Sequence, residues 1–139
     1  MLPRSEDCLF CRIVRGEEPG TFVWRDEATV VFLDTHPLFK GHALVVPVAH
    51  HETLTDLPEG EVATLYRVVQ RTAAAMATLG GDGTFVAQNN VVSQSVPHVH
   101  VHVVPRRKKD GLRGFFWPRV KYASDEERVE YAARLAQAF

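Results

Sequence analysis

The chain has 139 residues, 45% of them hydrophobic, and a formal net charge of −1 at pH 7. This length suits one domain with a full core, and the balanced charge argues against a protein that coats nucleic acid. No apolar run approaches the ~20 residues that a membrane-spanning helix needs, and the first residues lack the apolar stretch of a secretory signal. We therefore expect a single cytoplasmic domain over residues 1–139, with neither nucleic acid nor a membrane as a partner.

The first third of the chain is rich in predicted β-strands. Residues 21–24 and 29–33 are β-rich and are separated by a turn-like break at 25–27, which predicts a hairpin. A third, mostly apolar strand is predicted over residues 43–46, and Pro47 is expected to end it because proline cannot donate to a strand ladder.

A long helix is predicted after these strands. Asp56 is its predicted cap, with Pro58 in the first turn and Glu59 three residues after the cap. Apolar residues then recur at helical spacing, and the glycines at positions 80 and 81 are predicted to stop the helix.

The remaining predicted elements are two strands and a second helix. Residues 84–88 and 98–104 are the strands, and Ser124 opens a capping box for a short C-terminal helix that runs through Leu135. An order of strands, one long helix and then more strands favours an α+β fold with an antiparallel sheet over a doubly wound sheet.

Three histidines alternate with valines in the last predicted strand. Because successive side chains of a strand point to opposite faces, His98, His100 and His102 line one face at intervals of roughly 6.5–7 Å. The intervening valines need a core, and the long helix is the natural cover for their face. The histidine face supplies groups that act as nucleophile, acid, base or metal ligand near neutral pH.

Three interpretations of this histidine row compete. The rings are solvated, or they bind one metal ion, or one imidazole attacks an electrophile such as phosphorus while its neighbours protonate the leaving group. Short neutral hydrogen-bonding residues precede the row at 88–90 and 93–95 and suit phosphate oxygens, which favours covalent catalysis. No carboxylate lies within the row to complete an open catalytic metal site, which disfavours the second interpretation.

The residues from Cys8 to Arg106 resemble the histidine-triad (HIT) family. Its defining pattern, His-φ-His-φ-His-φ-φ with φ apolar, is met at every position from His98 to Val104. Four supporting segments occur in the family's order: DCLFCRIVRGEEP at 7–19, VFLD at 31–34, GHALVVP at 41–47 and QSVPH at 94–98. The core motif region is 7–106, and a tail over 107–139 lies beyond it.

The resemblance implies both a fold and an activity. HIT proteins share a five-stranded antiparallel sheet with one main helix, and they usually pair as homodimers, so we expect the sheet to extend across a dimer. They are nucleotide hydrolases and transferases that form a nucleotidyl-histidine intermediate at the α-phosphate. By this resemblance His100 is the nucleophile, His102 contacts the phosphate and assists the leaving group, and Ser95 lies near the leaving-group atom.

The resemblance also assigns residues that bind the substrate. Asp34 matches the position that binds ribose hydroxyls, and His42 matches a fourth family histidine that supports the triad. Gln94 and Asn89 would hold non-bridging phosphate oxygens, with Asn90 as the alternative to Asn89 because the segment before Gln94 is shorter than is common in the family.

The two cysteines form a CxxC pair at positions 8 and 11, which by itself fits a metal site, buried thiols or a redox pair. Some branches of the HIT family bind zinc through such a pair, a distant histidine and the first histidine of the triad. The matching ligands here are Cys8, Cys11, His50 and His98, with His51 as the alternative to His50. Such a closed site is structural, and no organic cofactor is expected.

These observations predict a dimeric HIT hydrolase that acts on a nucleotide, with adenine as the expected base. Dinucleoside polyphosphates and nucleoside phosphoramidates are both candidate substrates. Two other functions stay open: a non-enzymatic nucleotide-binding dimer that acts as a regulatory adaptor, and a metallohydrolase that uses the whole histidine row as ligands. Residues 110–119 either shape the substrate pocket or form a packed segment or a dimer contact.

Overall fold

A computed structural model describes residues 5–113 and 119–139 of the chain. The strands are β1 (Phe22–Arg25), β2 (Thr29–Leu33), β3 (Ala43–Pro47), β4 (Gly83–Ala87) and β5 (Val101–Arg106). They form one antiparallel sheet in the order β1-β2-β3-β5-β4, which confirms the predicted α+β fold. The helices are α1 (Leu9–Arg15), α2 (Glu59–Ala75) and α3 (Asp125–Gln137). Residues 114–118, which belong to the predicted pocket-shaping segment, lie outside the described residues.

The predicted hairpin is confirmed. The Asp26 carboxylate accepts hydrogen bonds from the backbone N–H groups of Ala28 and Thr29 at 2.9 and 2.8 Å, which fixes the turn between β1 and β2. β2 then pairs with β3 along its whole length, with Thr29 opposite Pro47. Pro47 is therefore the last residue of β3, a strand end where its missing N–H is tolerated.

The three inner strands β2, β3 and β5 are buried on both faces, and each face has its own core. On one face α2 covers alternate residues of the inner strands, among them the fully buried Val31, Val45 and Val103. On the opposite face α1 adds Phe10 and Ile13 to a second core built on β2 and β3. Because side chains alternate along a strand, the face that α2 leaves free is the one that carries the histidine row.

The histidine strand is shorter than predicted, because β5 begins only at Val101. His98 and His100 precede the ladder, so the prediction of a continuous strand over 98–104 is wrong at its first three residues. If the β3–β5 register continued, Pro47 would lie opposite Val99. Proline has no N–H to donate, and the β4 chain leaves the sheet after Ala87, so neither neighbour continues the ladder.

The start of the long helix also differs from the prediction. Pro58 is the residue before α2, and Asp56 does not cap it. The Asp56 carboxylate instead accepts hydrogen bonds from the Thr53 backbone N–H at 3.0 Å and from its hydroxyl at 2.8 Å. These bonds cap a separate single turn over Leu54–Asp56. Asp56 therefore takes part in capping as its residue type suggests, but at this short turn and not at α2.

The short helix α1 was not predicted from the sequence. The Cys8 sulfur accepts from the Cys11 backbone N–H at its start, and Gly16 ends it in a left-handed conformation with φ 79°. Phe10 and Ile13 lie three residues apart on its buried face. That spacing and the glycine were the available signals, but seven residues are too few for a periodicity to stand out.

The predicted end of the long helix and the predicted start of the C-terminal helix are both confirmed. The helical segment that starts with α2 ends at Gly80, which has φ 75° after a tight turn over Met76–Leu79. At α3 the Ser124 hydroxyl accepts from the Glu127 backbone N–H at 3.1 Å. In the described part of the chain, no helix has both the length and the apolar character needed to cross a bilayer.

Candidate active site and metal cluster

A cleft of about 520 Å³ opens on the α1 side of the sheet. Side chains of α1 and of the inner strands give it an apolar wall, formed by Leu9, Phe10, Ile13, Phe32 and Leu44. Four predicted site residues also line it: Asp34, Ser95, His100 and His102. The structure therefore brings two of the three triad histidines to a single cavity, beside a surface suited to a flat apolar group.

The main chain fixes the tautomer of His100. Its Nδ1 lies 2.7 Å from the carbonyl oxygen of His98, which can only accept, so Nδ1 carries the proton. In the neutral ring Nε2 then holds the free lone pair. Burial lowers the pKa of His100, which keeps this ring neutral below the usual histidine range. The edge of Phe10 packs on the ring, with centroids 5.0 Å apart and planes at 89°.

A chain of hydrogen bonds fixes the opposite tautomer at His102. The Leu38 backbone N–H donates to Nδ1 of His42 at 3.0 Å, so the neutral His42 ring carries its proton on Nε2. That Nε2 donates to Nδ1 of His102 at 2.9 Å. His102 therefore carries its own proton on Nε2, so the two triad rings differ: His100 has a lone pair on Nε2, and His102 has an N–H there.

Burial keeps this set of rings uncharged near neutral pH. Burial, together with the smaller effect of the neighbouring His100 and His42 imidazoles, lowers the pKa of His102 to about 4. Burial also lowers the pKa of His42, although the nearby Asp34 carboxylate opposes this shift. The hydrogen-bond chain between His42 and His102 is thus formed between neutral rings.

Asp34 lies in the cleft, beside the hydrogen-bonded pair His42 and His102. One carboxylate oxygen accepts from the His36 backbone N–H at 2.9 Å, and the other lies 3.6 Å from Nε2 of His42. The side chain lines the cleft. A carboxylate in this position can accept hydrogen bonds from hydroxyl groups of a bound molecule, so the predicted contact with ribose remains compatible with the geometry.

The four predicted metal ligands converge on one point. The donor atoms of Cys8, Cys11, His50 and His98 all lie within 4.8 Å of one another. Nδ1 of His98 lies 3.3 Å from the Cys8 sulfur and 3.6 Å from the Cys11 sulfur, and 3.2 Å from Nδ1 of His50. Nδ1 of His50 lies 3.5 Å from the Cys11 sulfur. A tetrahedral zinc with ordinary bond lengths requires N–N edges of about 3.3 Å and N–S edges of about 3.6 Å, so the cluster fits zinc.

The outer contacts of the cluster also suit a metal. Nε2 of His98 donates to the Pro47 carbonyl at 2.8 Å, which leaves the Nδ1 lone pair free to face the cluster. Burial lowers the pKa of His98 to about 4, so this ring is neutral as a ligand must be. Both cysteines are buried free thiols, and burial raises the pKa of Cys8.

His50, and not the alternative His51, contributes a ring nitrogen to the cluster. The ring of His51 turns the other way, and its Nε2 lies 2.9 Å from a carboxylate oxygen of Glu61 on α2. The backbone carbonyl of His51 accepts from the Val99 N–H at 2.8 Å. His51 therefore ties the segment after β3 both to α2 and to the main chain between the first two triad histidines.

Two of the predicted phosphate ligands do not reach the cleft. Both ends of the Gln94 amide are bonded to backbone groups, to the Glu52 carbonyl at 2.6 Å and to the Val91 N–H at 2.9 Å. The Asn89 amide donates to the Ser93 carbonyl at 3.3 Å. These amides fold the loop that carries Ser95 to the cleft. That they hold phosphate oxygens of a bound substrate stays a prediction.

The alternative residue Asn90 is also used within this loop. Its side-chain oxygen accepts from the Leu54 backbone N–H at 2.8 Å, which joins the loop to the turn before α2. Val91 adopts φ 68° and is exposed. A β-branched residue in the left-handed region is strained, and the amide contacts on either side of it account for how the loop keeps this conformation.

The apolar wall of the cleft was missed in the sequence analysis. Leu9, Phe10 and Ile13 lie within the segment that carries the CxxC pair, and α1 is too short for their helical spacing to stand out in the sequence. Phe32 and Leu44 alternate with core valines in β2 and β3, and strand alternation places them on the histidine face. Nothing in the sequence alone distinguishes such a wall from an ordinary core.

Comparison with known proteins decides the family. The HIT domain family model matches residues 15–109. This chain belongs to the HIT family. It is 42% identical over 106 residues to a HIT-like protein of Methanocaldococcus jannaschii, covering 75% of this chain and 82% of that one.

Two further relatives of this HIT protein carry the names of enzymes. An adenosine 5'-monophosphoramidase of Schizosaccharomyces pombe is 32% identical, over 86% of this chain and 89% of that protein. An adenylylsulfatase of Arabidopsis thaliana is 35% identical, over 78% of this chain and 56% of that protein.

Solved structures of HIT proteins share the fold. A HIT family protein from Bacillus anthracis superposes with a TM-score of 0.86 at 28% identity, covering 98% of this chain and 99% of that one. A zinc-bound histidine triad family protein from Mycobacterium smegmatis superposes with a TM-score of 0.74 at 37% identity, covering 96% and 98%.

Proposed function

We propose that this HIT protein hydrolyses adenine-containing nucleotides at the α-phosphate through a nucleotidyl intermediate on His100. One observation carries the proposal: His100 and His102 line the same cleft with opposite tautomers, one with a lone pair on Nε2 and one with an N–H. A displacement at phosphorus needs both groups, a nucleophile on one side and a proton donor for the leaving group on the other.

The proposed first step is attack of His100 Nε2 on the α-phosphorus. The bond from phosphorus to the leaving group breaks, and His102 Nε2 gives its proton to that group as it departs. Because His102 begins neutral, its ring becomes an imidazolate, whose charge balances the positive charge on His100 until the second step. His100 keeps its Nδ1 proton, and the hydrogen bond from Nδ1 to the His98 carbonyl stabilises the positive charge that the ring gains. Ser95, which lines the cleft, is expected to contact the leaving-group atom.

The proposed second step is hydrolysis of the intermediate. Water attacks the same phosphorus while its proton passes to His102 Nε2, which is unprotonated after the first step. The bond between phosphorus and His100 breaks, and the nucleoside monophosphate leaves. Both histidines then carry the protons with which they began, so the cycle is balanced.

The cleft supports a nucleotide as the substrate. Its apolar wall can receive a flat base, and Asp34 offers acceptors to ribose hydroxyls. Nucleoside phosphoramidates are the favoured class, since a relative with 86% of this chain aligned is named an adenosine 5'-monophosphoramidase. An amine is a poor leaving group without a proton, which is the task that the N–H of His102 performs.

We also propose that Cys8, Cys11, His50 and His98 hold a structural zinc ion. The support is the tetrahedral spacing of their donor atoms and the zinc-bound relative from Mycobacterium smegmatis. When bound there, the metal supplies a cross-link between α1, the segment after β3 and the segment before β5. All four positions are protein ligands, so this site has no open position for substrate.

A homodimer remains a prediction. β4 is an edge strand of the sheet, and Val86 on it is an exposed apolar residue. Pairing of this edge with a second copy would extend the sheet across the two protomers, as the family resemblance predicts. The molecular mass in solution, measured by light scattering, tests this directly.

Mass spectrometry tests the proposed function most directly. Wild-type protein is mixed briefly with adenosine 5'-phosphoramidate and quenched, and we expect a nucleotidyl adduct on a peptide that contains His100. His100→Ala should form no adduct and show no turnover, while calorimetry still detects binding of adenosine monophosphate. Binding without turnover by the wild type would contradict the hydrolase proposal and favour a nucleotide-binding adaptor.

A further inference from the structure

We propose that the Cys8–Cys11–His50–His98 cluster positions the nucleophile His100 through the main chain of His98, so that metal occupancy controls turnover as well as stability. This inference rests on the proposed function, because it assigns a regulatory role to the site beside the proposed nucleophile. The observation that carries it is that one residue belongs to both systems. The ring of His98 faces the cluster, and the backbone carbonyl of His98 accepts a hydrogen bond from Nδ1 of His100.

The nucleophile lacks the support that a strand ladder would give it. β5 begins at Val101, so the backbone of His100 pairs with neither β3 nor β4. His102, in contrast, lies within the ladder opposite Leu44 and Ala87. The direction in which His100 presents its ring therefore depends on the residues before it rather than on the sheet.

Three contacts hold the segment before β5, and two of them involve His98. Nε2 of His98 donates to the Pro47 carbonyl at 2.8 Å, and the Val99 N–H donates to the His51 carbonyl at 2.8 Å. The third is the convergence of the His98 ring on the cluster, with His50 Nδ1 only 3.2 Å away. All three contacts attach this segment to residues 47–51, so they act on it together.

The cluster contact depends on a metal in a way the other two do not. Nδ1 of His98 carries a lone pair, because Nε2 is the protonated nitrogen, and the cluster has no fixed donor for that lone pair except a thiol. A metal ion would satisfy the lone pairs of both rings at once. Without it the Nδ1 end of the His98 ring has only a thiol as a donor, so one of the three contacts that hold the His98 carbonyl beside His100 is weakened.

Loss of that carbonyl changes the chemistry of His100 rather than the walls of the cleft. Without a fixed acceptor at Nδ1, the neutral ring distributes its proton between its two nitrogens. The fraction that presents a lone pair on Nε2 then falls. The apolar wall keeps its own support, since Phe10 packs edge-on against Phe32 with centroids 5.3 Å apart.

The test compares zinc-loaded and chelator-treated full-length protein at a temperature where circular dichroism shows both to be folded. Three quantities are measured: the tautomer of His100 by nitrogen-15 NMR of its ring, the affinity for adenosine monophosphate by calorimetry, and kcat on adenosine 5'-phosphoramidate. On metal removal we expect His100 to change from one tautomer to a mixture, kcat to fall by at least about tenfold, and nucleotide affinity to stay the same within error. Added zinc should restore the first two.

Two variants separate positioning from simple loss of stability. Cys11→Ser removes a proposed metal ligand and leaves the residue at position 98 unchanged. This variant should behave like the chelator-treated protein. Val69→Ala lowers stability from the buried face of α2, far from the cluster, and should keep both the tautomer and the kcat of the wild type. The comparison is made below the unfolding transition of each variant.

The possible results are distinguishable. A folded, metal-free protein that keeps its His100 tautomer and its kcat would overturn the inference. So would an affinity loss as large as the loss of kcat, since that would mean a general loosening of α1. If the zinc-loaded protein shows no turnover of the phosphoramidate, the proposed function fails, and the NMR measurement still decides whether the cluster sets the His100 ring.

Discussion

The two faces of the sheet are built from the same strands, and each carries a buried core. They differ in the side chains that they present. On the α2 face the core consists mainly of valines and leucines. On the α1 face lie two thiols, a cleft of about 520 Å³ and five histidines: His42, His50, His98, His100 and His102. Strand alternation produces both faces from one set of residues.

The comparison shows how a small domain can bury reactive groups without losing stability. The α2 face supplies apolar burial, which scales with area and needs no exact orientation. The α1 face supplies orientation: nearly every buried imidazole nitrogen has a named partner at 2.7–3.0 Å or faces the cluster. Buried polar groups cost free energy unless they are satisfied, so this network is a condition for the site to exist.

The largest expected effect comes from removing the proposed nucleophile on the α1 face. His100→Ala should reduce kcat by at least about 10³-fold, because the covalent route is lost while binding residues remain. Stopped-flow or steady-state assays with adenosine 5'-phosphoramidate measure the loss, and chemical denaturation measures stability. A variant that keeps wild-type turnover would remove His100 from the proposed role.

The matched change on the α2 face should have the opposite profile. Leu65 is 1% exposed on α2, and Leu65→Ala should lower the free energy of unfolding by about 2–5 kcal/mol through loss of burial and the cavity left behind. Its kcat, measured well below the unfolding transition, should equal that of the wild type. A fall in kcat there would show that the two faces are more strongly coupled than their separate cores suggest.

A smaller effect is expected from the ring that sets the tautomer of His102. His42→Ala removes the donor to His102 Nδ1, so part of the His102 population would lose its proton at Nε2. We expect kcat to fall by about tenfold to a hundredfold with a smaller change in nucleotide affinity. A matched denaturation curve shows whether the fold is retained, and an unchanged kcat would mean that His102 holds its tautomer without His42.

The smallest expected effect is on stability as a function of pH. Burial lowers the pKa of His102 to about 4, against about 6.5 in the unfolded chain. The unfolded state therefore binds more protons across this window, and the free energy of unfolding should decrease as the pH falls from 6.5 towards 4.

Denaturant unfolding at several pH values measures this slope for the wild type and for His102→Gln. The variant lacks the titrating ring, so its curve should be flatter in the same window. Equal slopes for the two proteins would show that His102 is not held neutral by the fold. Because burial also lowers the pKa of His100, we expect catalysis to persist below the ordinary histidine range.

Much of the site could be predicted because its signals are local in sequence. The alternation of histidine and valine between His98 and Val103 requires only a strand-like backbone, and the structure keeps it even where the ladder is absent. The hairpin before β2 and the cap at Ser124 follow equally from short-range hydrogen bonding.

The errors have a common physical cause, which is competition between possible partners. Asp56 has the right residue type for a helix cap but bonds to Thr53, because that turn lies closer. The amides of Gln94 and Asn89 likewise bond to nearby backbone groups in this structure, while their predicted contact with phosphate stays a prediction. A sequence shows which groups can form hydrogen bonds, and it does not show which partner is nearer in the folded chain.

Residue identity at a fixed spacing was enough to indicate the family, the triad and the chemical types of the proposed metal ligands. Which ring holds a lone pair and which holds a proton could be read only from the folded chain. Those assignments depend on the His98 carbonyl, the Leu38 N–H and the His42 ring, which the fold brings to within 3.0 Å of their partners. A tautomer is set by the group at the other nitrogen, and for His102 that group comes from a residue 60 positions away.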